Sequence, residues 1–434
     1  MRSEIAFSDA IERMVTLGLP LLLLLYMLTE NTALFLVVLA VCIVFITKPE
    51  VIFPIYWVAS LSSQFVVVDD GLSAGRFLSI VMIISLLIQF YNKKSHVSKQ
   101  RLFFFVIIVV FTFLSALFSI THSLKSFYMM MLNLLVFFLI SFANGINYEK
   151  IVNNIAISSF FVLLYFSYTA YLEGAFLFTN RYVAGGDDDG PNANRIAMLI
   201  TQCGTVLFAF LICKRNVVLN IFSLIGFLLS ILLVIALGSR AALVALIAGS
   251  CFCLFFIFSK LNRKRKFILT MLAFLLFFSL VFFFSSIDSS LIERFSLESL
   301  EDDGGGGRIK NIEIIMGKIF PDYPLFGTGI GGENMKAIGR MYNLPNLAHN
   351  FVIDPLSQLG IVGYSLYLLF LCPYIMKILK ILKLRKQLLV ILSLAPLVAA
   401  VVNGIGEIVF FEKFFWNDLS LCYLAYNYYA VENT

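Results

Sequence analysis

Long apolar runs recur along the whole sequence, and they constrain the fold more than any other feature. A helix of about 20 apolar residues crosses the hydrocarbon core of a bilayer, and about fourteen runs approach that length, with about twelve as the lower count. They cover residues 14–28, 32–47, 51–68, 77–91, 102–120, 127–143, 151–171, 196–212, 217–237, 240–259, 267–285, 351–376, 388–405 and 414–430. The third run contains Pro54 and is also compatible with a re-entrant segment. The sequence therefore predicts an all-α, polytopic membrane helix bundle.

The composition excludes an ordinary soluble domain. Hydrophobic residues make up 60% of the chain and charged residues 13%, whereas soluble domains have roughly 25% charged residues. The net charge of +6 comes from basic residues in short segments between the apolar runs, as membrane topology requires, so we expect a lipid membrane and no nucleic acid as partner. All seven cysteines lie in apolar stretches, which argues against a disulfide framework or a thiolate metal site.

The basic residues also predict an orientation. Lysine and arginine concentrate in cytoplasmic loops, and with the N-terminus inside, most of the 32 basic residues fall in inner segments. The densest inner clusters are Lys260–Lys266 and Lys377–Lys386. Both termini are then expected in the cytoplasm, and the polar insert 286–350 is expected outside.

The insert contains a candidate helix with a cation at its start. Four glycines precede RIKNIEIIMGKIF, in which Ile309, Ile312, Ile315, Met316 and Ile319 recur at helical spacing. This pattern predicts an amphipathic helix over residues 308–320 that lies on the membrane. Free backbone N–H groups beside Arg308 favour an anion site, and a packing helix with an exposed arginine stays an alternative. For the glycine-rich GTGIGG at 327–332, we expect a tight turn rather than a phosphate loop.

Arg240 opens an apolar run after the short external turn LGSR. An arginine at the bilayer centre costs about 2.5–3.5 kcal/mol on insertion scales, so this side chain should lie at the outer interface or line a polar cavity. Topological anchoring is the alternative, although anchoring residues are expected on the inner side.

His349 stands where the chain re-enters the apolar phase, and the other two histidines lack such a setting. A structural, hydrogen-bonded histidine is the ordinary alternative to a catalytic one. The positive end of a helix dipole favours the neutral imidazole that a general base needs. Gly360, three helical turns later, should lie on the same face and allow a helix or a lipid to approach. Asp354 and Glu407 are candidate partners of the histidine.

Other external arginines suit bidentate capture of phosphate oxygens, with interfacial snorkelling as the alternative. Arg181 and Arg195 flank a second external loop, while Arg294 and Arg340 lie in the insert. In the second loop, Asp187–Asp189 could attract a cation, but a solvated turn is the preferred interpretation.

Three blocks of sequence resemble a known family. They are ALGSRAALVALIAG, the segment from Arg308 through PLFGTGIGG, and HNFVIDPLSQLGIVG with its spacing from His349 and Asn350 to Gly360. They are similar to the shared region of bacterial O-antigen polymerases of the Wzy type and O-antigen ligases. On this basis we divide the chain into N-terminal spans (1–191), a polymerase/ligase core (192–376, including the external loop 286–350) and C-terminal spans (377–434).

The resemblance implies an enzyme of the inner membrane that works at the periplasmic face. It would be a metal-independent, inverting glycosyltransferase of the GT-C class, with a glycan on undecaprenyl diphosphate as donor and a lipid-linked oligosaccharide as acceptor. His349 would be the base, and Arg240 and Arg308 would hold the diphosphate. Substrate-binding roles are expected for Arg181, Arg195, Asn350, Arg340 and Arg294. No metal or cofactor is expected, and a chain-length regulator protein is a candidate partner.

The family divides by acceptor. A polymerase transfers the growing glycan to a new lipid-linked repeat unit, and a ligase transfers it to lipid A core. The span count and the abundance of phenylalanine (46 residues) and tyrosine favour a polymerase by likeness to the family, with a ligase as the alternative. A polysaccharide transporter or flippase is less favoured because no internal repeat is evident and the spans are nearly free of charge.

Overall fold

The computed structural model describes residues 2–61, 67–69, 72–93, 97–122, 124–177, 182, 193–213, 217–258, 263, 266–267, 308–344, 349–383, 388–405, 410 and 413–431. Its helices are α1 (Arg2–Thr29), α2 (Thr32–Val44), α3 (Pro49–Leu61), α4 (Ala74–Asn92), α5 (Lys99–Leu117), α6 (Leu124–Ile140), α7 (Tyr148–Leu172), α8 (Ala193–Cys213), α9 (Val217–Ala236), α10 (Arg240–Phe258), α11 (Arg308–Ile314), α12 (Gly332–Met341), α13 (Ile353–Lys383), α14 (Leu388–Asn403) and α15 (Lys413–Val431). A π-helical segment (Ile315–Ile319) and a short turn of helix (Phe320–Asp322) continue α11, and a 3₁₀ turn (Ala175–Leu177) follows α7.

The helical prediction is confirmed. Every predicted span coincides with a helix except 51–68, which does so only in its first part, and 267–285, nearly all of which lies outside the described residues. Within the described part of the chain, seven helices are long and apolar enough to cross a membrane. Besides helices, the described part of the chain contains a small antiparallel hairpin, β1 (Val67–Asp69) and β2 (Leu72–Ser73). The chain is therefore an integral, polytopic helical membrane protein.

The third predicted span is shorter than expected. Helix α3 ends at Leu61, and residues 67–69 form β1 instead of continuing the helix. Its 13 residues extend about 20 Å, less than the roughly 30 Å of a bilayer core. Its end lies close to the start of α4, where a Cβ on Gly75 would be 2.7 Å from the Ala59 carbonyl oxygen. A short helix followed by a hairpin fits the re-entrant alternative better than a full span.

Helix α8 is the centre of the bundle. It is buried over most of its length and packs against α7, α9, α10 and α14. Small residues allow this packing: a Cβ on Gly204 would meet the Ser230 side chain of α9, and one on Gly249 of α10 would meet Thr205. Close helix approach at small residues is the usual packing mode inside membranes.

A buried carboxylate joins three helices in the core. Asp418 of α15 is fully buried and accepts hydrogen bonds from Trp57 Nε1 of α3 (3.3 Å) and Gln202 Nε2 of α8 (2.7 Å). Next to it, Tyr56 Oη donates to Asn417 Oδ1 (2.8 Å). Buried polar groups need such partners because desolvation is costly. The expectation that the spans are nearly free of charge therefore needs a correction at Asp418.

Hydrogen bonds between helix ends define the two ends of the bundle. The Tyr148 hydroxyl, at the start of α7, donates to the Leu389 carbonyl at the start of α14 (2.8 Å). At the other end of α7, Tyr182 bonds to Thr169 through its hydroxyl (2.5 Å) and donates its N–H to Ala236 at the end of α9 (2.9 Å). We call the end where α7 and α14 begin the basic end, and the end where α7, α9 and α14 finish the site end.

The α11–α12 unit forms a small cap with its own core. Ile315, Ile319, Met335, Ile338 and Leu344 are buried together, and Ile353 at the start of α13 packs against them. This contact attaches the cap to α13. The amphipathic pattern predicted for residues 308–320 is confirmed at Ile315 and Ile319, while Ile309 is 60% exposed.

Candidate active site

Arg240 occupies the tight turn between α9 and α10. Gly238, with φ 59°, allows the chain to reverse, and its N–H donates to the Ile235 carbonyl (2.8 Å). Ser239 is buried and its carbonyl accepts from Leu243 N–H (3.1 Å), so Arg240 is the first residue of α10 and is half-buried. Arg240 therefore lies at a helix start on the site end, and its interfacial position stays a prediction.

Arg195 begins the neighbouring helix at the same end. It lies in the first turn of α8 and is half-buried. The Thr201 hydroxyl of α8 donates to the Ala242 carbonyl of α10 (3.2 Å). Since a helix rises about 1.5 Å per residue, Arg195 lies about 6 Å farther outward along the bundle axis than Arg240. The structure thus brings these two arginines to one end at slightly different depths.

Tyr182, from the loop that was predicted to be external, lies beside the Arg240 turn. Tyr182 is 1% exposed, and its two hydrogen bonds join the end of α7 to the end of α9. Burial raises the pKa of the Tyr182 phenol, so this anchor stays uncharged. Its neighbour in sequence, Arg181, and the candidate cation loop Asp187–Asp189 lie outside the described residues.

His349 lies just before α13 rather than within it. Its backbone has φ 51°, an uncommon conformation for a residue with a side chain. Asn350 follows, and its Oδ1 accepts from the N–H groups of Val352 (2.9 Å) and Ile353 (3.1 Å). Asp354 Oδ2 accepts in turn from Asn350 N–H (2.8 Å). These reciprocal bonds form a helix cap, and they orient the backbone that carries His349.

The end of α14 holds the His349 segment in place. Phe351 N–H donates to the Gly404 carbonyl (2.6 Å), and Asn350 Nδ2 lies 3.4 Å from the Ile405 carbonyl oxygen. Because α14 finishes at the site end, His349 lies at the same end as Arg240 and Arg195. The other predicted partner of the histidine, Glu407, is outside the described residues.

Arg308 begins α11, the helix that opens the cap. It is half-buried, and the helix that it starts continues into the buried Ile315 and Ile319. Since the cap packs against Ile353, Arg308 belongs to the site end with His349 and Arg240. The described part of the chain therefore places all three predicted catalytic residues at one end of the bundle.

Arg340 and Arg294 complete the predicted set. Arg340 is exposed in the last turn of α12. The negative end of the helix dipole stabilises a cation at that position. Just after α12, Tyr342 Oη donates to Asp322 Oδ2 (2.5 Å) and joins the end of α12 to the short helical turn Phe320–Asp322. That hydrogen bond raises the pKa of Tyr342 to about 12. Arg294 lies outside the described residues.

Helix α13 is interrupted at Gly360, and this was not predicted. Gly360 has φ 64° and ψ −177°, a combination that is essentially restricted to glycine. The expectation that Gly360 shares a face with His349 is therefore wrong, because the helix does not continue through it. The close approach expected there does exist, but the neighbour is loop backbone: a Cβ on Gly360 would lie 2.3 Å from the Leu325 carbonyl oxygen.

The PLFGTGIGG loop fills the interruption. Two loop amides donate to α13 and two α13 amides donate to the loop, in the pairs Thr328 to Ser357 (2.9 Å), Gly329 to Gln358 (3.0 Å), Ile361 to Pro324 (2.9 Å) and Val362 to Leu325 (3.0 Å). Such bonds satisfy the groups that a broken helix exposes in an apolar phase. Since the Thr328 and Gly329 amides are already bonded to α13, they are not free to bind a phosphate, which fits the expected structural turn.

Comparison with known proteins gives one family match. Residues 225–368 match the family model described as O-antigen ligase. This match supports the resemblance of that region to the O-antigen polymerase and ligase superfamily. The O-antigen ligase match contains Arg240, Arg308, His349 and the Gly360 interruption, and leaves residues 1–224 and 369–434 outside it. A comparison with curated proteins finds no match.

Two buried polar residues at the site end were not predicted as site residues. Lys413 begins α15 and is 6% exposed, and Asn403 ends α14 and is 1% exposed. Both amide atoms of Asn403 lack a hydrogen-bond partner within the described part of the chain. A lysine before an apolar run has the pattern of an ordinary anchor, so the sequence carries no signal that separates Lys413 from one.

Proposed function

We propose that this protein is a metal-independent, inverting glycosyltransferase that polymerises O-antigen or a related surface polysaccharide. The donor is the growing glycan on undecaprenyl diphosphate, and the acceptor is a new lipid-linked repeat unit. The match of residues 225–368 to the O-antigen ligase family carries this proposal. The common placement of Arg240, Arg308 and His349 at one end of the bundle supports it.

The proposed chemistry assigns one task to each charged group. His349 takes the proton from the acceptor hydroxyl, whose oxygen attacks the anomeric carbon of the donor sugar. The bond from that carbon to the diphosphate oxygen breaks, and the configuration inverts. The departing diphosphate carries the negative charge, which Arg240 and Arg308 neutralise through bidentate hydrogen bonds. Stabilising the developing charge is the larger expected contribution, and the base adds about 10²–10⁴ in rate.

The placement of the arginines supports an anion at this end. Arg240 begins α10, Arg308 begins α11 and Arg195 lies in the first turn of α8. A cation at the positive end of a helix dipole is unfavourable by about 0.3–1 kcal/mol. A bound diphosphate offsets that repulsion, and helix N-termini favour phosphate for the same reason.

We further propose that the site end faces the periplasm of a bacterial inner membrane. Lys48, Lys150, Arg101 and Lys377 lie at the basic end, and such residues mark the cytoplasmic side. Both chain termini are then cytoplasmic. A lipid-linked donor in the outer leaflet would present its diphosphate at the depth of Arg240.

A ligase that transfers the glycan to lipid A core is the second candidate. The match of residues 225–368 to the family described as O-antigen ligase favours it. Polymerases and ligases of this kind share the donor and differ in the acceptor. The same Arg240, Arg308 and His349 roles would therefore apply to either reaction.

A deletion strain tests both candidates in one experiment. Surface polysaccharide is separated by gel electrophoresis in the deletion strain, with and without plasmid-borne wild-type protein. We expect the deletion to leave a single repeat unit attached to the core. Loss of every attached unit would assign the protein as a ligase, and an unchanged ladder would contradict both. An assay in liposomes with a lipid-linked repeat unit should show glycan lengthening without translocation, which separates the enzyme from a transporter.

A further inference from the structure

Two cations share one tyrosine hydroxyl at the basic end. Arg101 Nη1 of α5 and Lys377 Nζ of α13 both donate to Tyr423 Oη of α15, at 3.3 Å and 2.9 Å. The end of α15 packs near the start of α7, since Tyr428 and Tyr429 contact the Tyr148 ring. This cluster therefore lies at the end opposite to His349.

Aromatic rings hold both cations in place. The Arg101 guanidinium lies 5.4 Å from the Phe142 ring centroid and 5.5 Å from that of Tyr374. The Lys377 ammonium lies 5.6 Å from the Tyr423 centroid and 5.2 Å from that of Tyr426. Cation–π contacts of this length attract the charge but do not neutralise it. Both side chains are half-buried, so water screens them incompletely.

The cluster carries positive charge without a counterion in the described part of the chain. The ion pairs found there join Lys48 and Lys150 to Glu12, and none involves Arg101 or Lys377. Arg101 also lies in the first turn of α5, where Ser98 Oγ accepts from its backbone N–H (3.4 Å). The helix dipole adds positive potential at that position. The Arg101 and Lys377 cations share the Tyr423 oxygen beside the N-terminus of α5, so this position favours a bound anion.

The surroundings are those of a lipid headgroup. On α5, Leu102 and Phe103 follow Arg101 and are exposed, and on α13, Ile375 and Met376 precede Lys377 and are exposed. In a membrane protein these apolar side chains face acyl chains. An anion at Arg101 and Lys377 would then sit at headgroup depth above an apolar surface, and basic pockets between spans are known sites of anionic lipid heads.

We propose that Arg101 and Lys377, held together by the buried Tyr423 hydroxyl, bind the phosphate of an anionic phospholipid. The guanidinium and the ammonium donate to phosphate oxygens with N–H groups that the Tyr423 hydroxyl does not use. The acyl chains lie along the exposed faces of α5 and α13. Because the three residues belong to α5, α13 and α15, the lipid stabilises the helix whose other end carries the His349 segment.

The test measures lipid-induced stabilisation of the purified full-length protein in detergent. Phosphatidylglycerol, phosphatidylcholine or inorganic phosphate is added, and the apparent Tm is followed as a function of concentration. A ligand that binds only the folded state raises Tm by mass action. We expect phosphatidylglycerol to raise the Tm of the wild type, with little effect of the other two. The double variant Arg101→Gln/Lys377→Gln should need about tenfold more lipid for the same shift.

The matched control removes two exposed charges from the same helices. Lys99→Gln/Lys380→Gln changes the net charge equally, and both side chains are exposed on α5 and α13; its lipid response should stay near that of the wild type. An equal response of the two double variants would overturn the proposal. A shift from inorganic phosphate as large as that from the lipid would overturn the lipid assignment in favour of a soluble anion. If the first double variant does not fold, Tyr423→Phe, which keeps both charges, should still show a weakened response to phosphatidylglycerol.

Discussion

The two ends of the bundle hold their charges in different ways. At the basic end, Glu12 is buried between Lys48 (2.9 Å) and Lys150, and Arg101 and Lys377 rest against tyrosine and phenylalanine rings. At the site end, Arg240 and Arg308 each occupy the first position of a helix, and His349 lies in a strained turn ahead of a third.

This contrast separates anchoring from binding. Lys48 and Lys150 at the basic end are held by the Glu12 carboxylate of α1, which favours the folded bundle. Arginines at helix starts are unfavourable for stability but suit an anionic ligand. We therefore expect substitutions of Arg240, Arg308 and His349 to reduce activity at constant stability, and substitution of Glu12 to do the reverse.

His349→Ala should produce the largest effect. Without the proposed base, we expect polymer formation to fall by about 10²–10⁴, while the amount of protein in the membrane stays unchanged. The measurement is the polysaccharide ladder of the complemented deletion strain, with the membrane level checked by immunoblot. His122→Ala is the matched control, because His122 is exposed in the turn after α5 and its Nδ1 lies 2.7 Å from the Leu117 carbonyl oxygen. Retention of the full ladder by His349→Ala would remove the base from the scheme.

Arg240→Lys and Arg308→Lys should each reduce the rate by about 10², since an ammonium does not reproduce the bidentate fork of a guanidinium. The rate is measured in liposomes with a lipid-linked repeat unit. Lys310→Gln removes a charge from the exposed side of α11 and should leave the rate near that of the wild type. A loss in Lys310→Gln together with unchanged rates in Arg240→Lys and Arg308→Lys would mean that only the total charge of this end matters, and would contradict the bidentate role.

Gly360→Ala should break the contact between α13 and the PLFGTGIGG loop. The backbone conformation costs about 1–3 kcal/mol for a residue with a side chain, and the added Cβ would lie 2.3 Å from the Leu325 carbonyl oxygen. We expect a lower apparent Tm and faster proteolysis of the loop. Gly317→Ala is the control, because a Cβ there would meet nothing within 4 Å. Equal stability of the two variants would contradict the interruption.

Glu12→Gln should have the smallest effect and should act on stability alone. Burial raises the pKa of Glu12, but the hydrogen bonds and charges of Lys150 and Lys48 outweigh it, so the pKa is lowered overall. A lowered pKa contributes stability above the unfolded value of about 4.3, and that stability is lost as the pH falls through the folded value. We expect a cost of about 1 kcal/mol at neutral pH, seen as a lower apparent Tm, with wild type and variant converging below about pH 4. A constant difference across that range would contradict the ion-pair assignment.

The helical bundle could be predicted from the sequence because the length of each apolar run matches that of a helix that crosses a bilayer. The runs 240–259 and 351–376 also placed Arg240 at the start of a span and His349 just before one, as the structure has them to within a few residues. The apolar run 51–68 predicted one long span, but α3 ends at Leu61 and residues 67–69 form β1. An apolar run does not distinguish a helix from the hairpin at 67–73.

Contacts between segments that are distant in the sequence could not be predicted from it. Four hydrogen bonds join residues 324–329 to residues 357–362 of α13, which lie far apart in the sequence. Glycines in a sequence predict a turn, but they do not show which distant segment the turn will contact. Asp418 was overlooked because a single aspartate hardly changes the hydropathy of its run, and its donors Trp57 and Gln202 lie on other helices. The three-part domain division and the substrate-binding roles of Arg181, Arg195, Asn350, Arg340 and Arg294 stay predictions.

A structure of the protein in a lipid nanodisc with bound undecaprenyl diphosphate would test the central claim most directly. The account predicts diphosphate density between the Arg240 and Arg308 guanidinium groups at the site end, with the His349 imidazole facing the position of the first sugar. Density for the diphosphate at the basic end, or at the site end out of reach of both arginines, would contradict it.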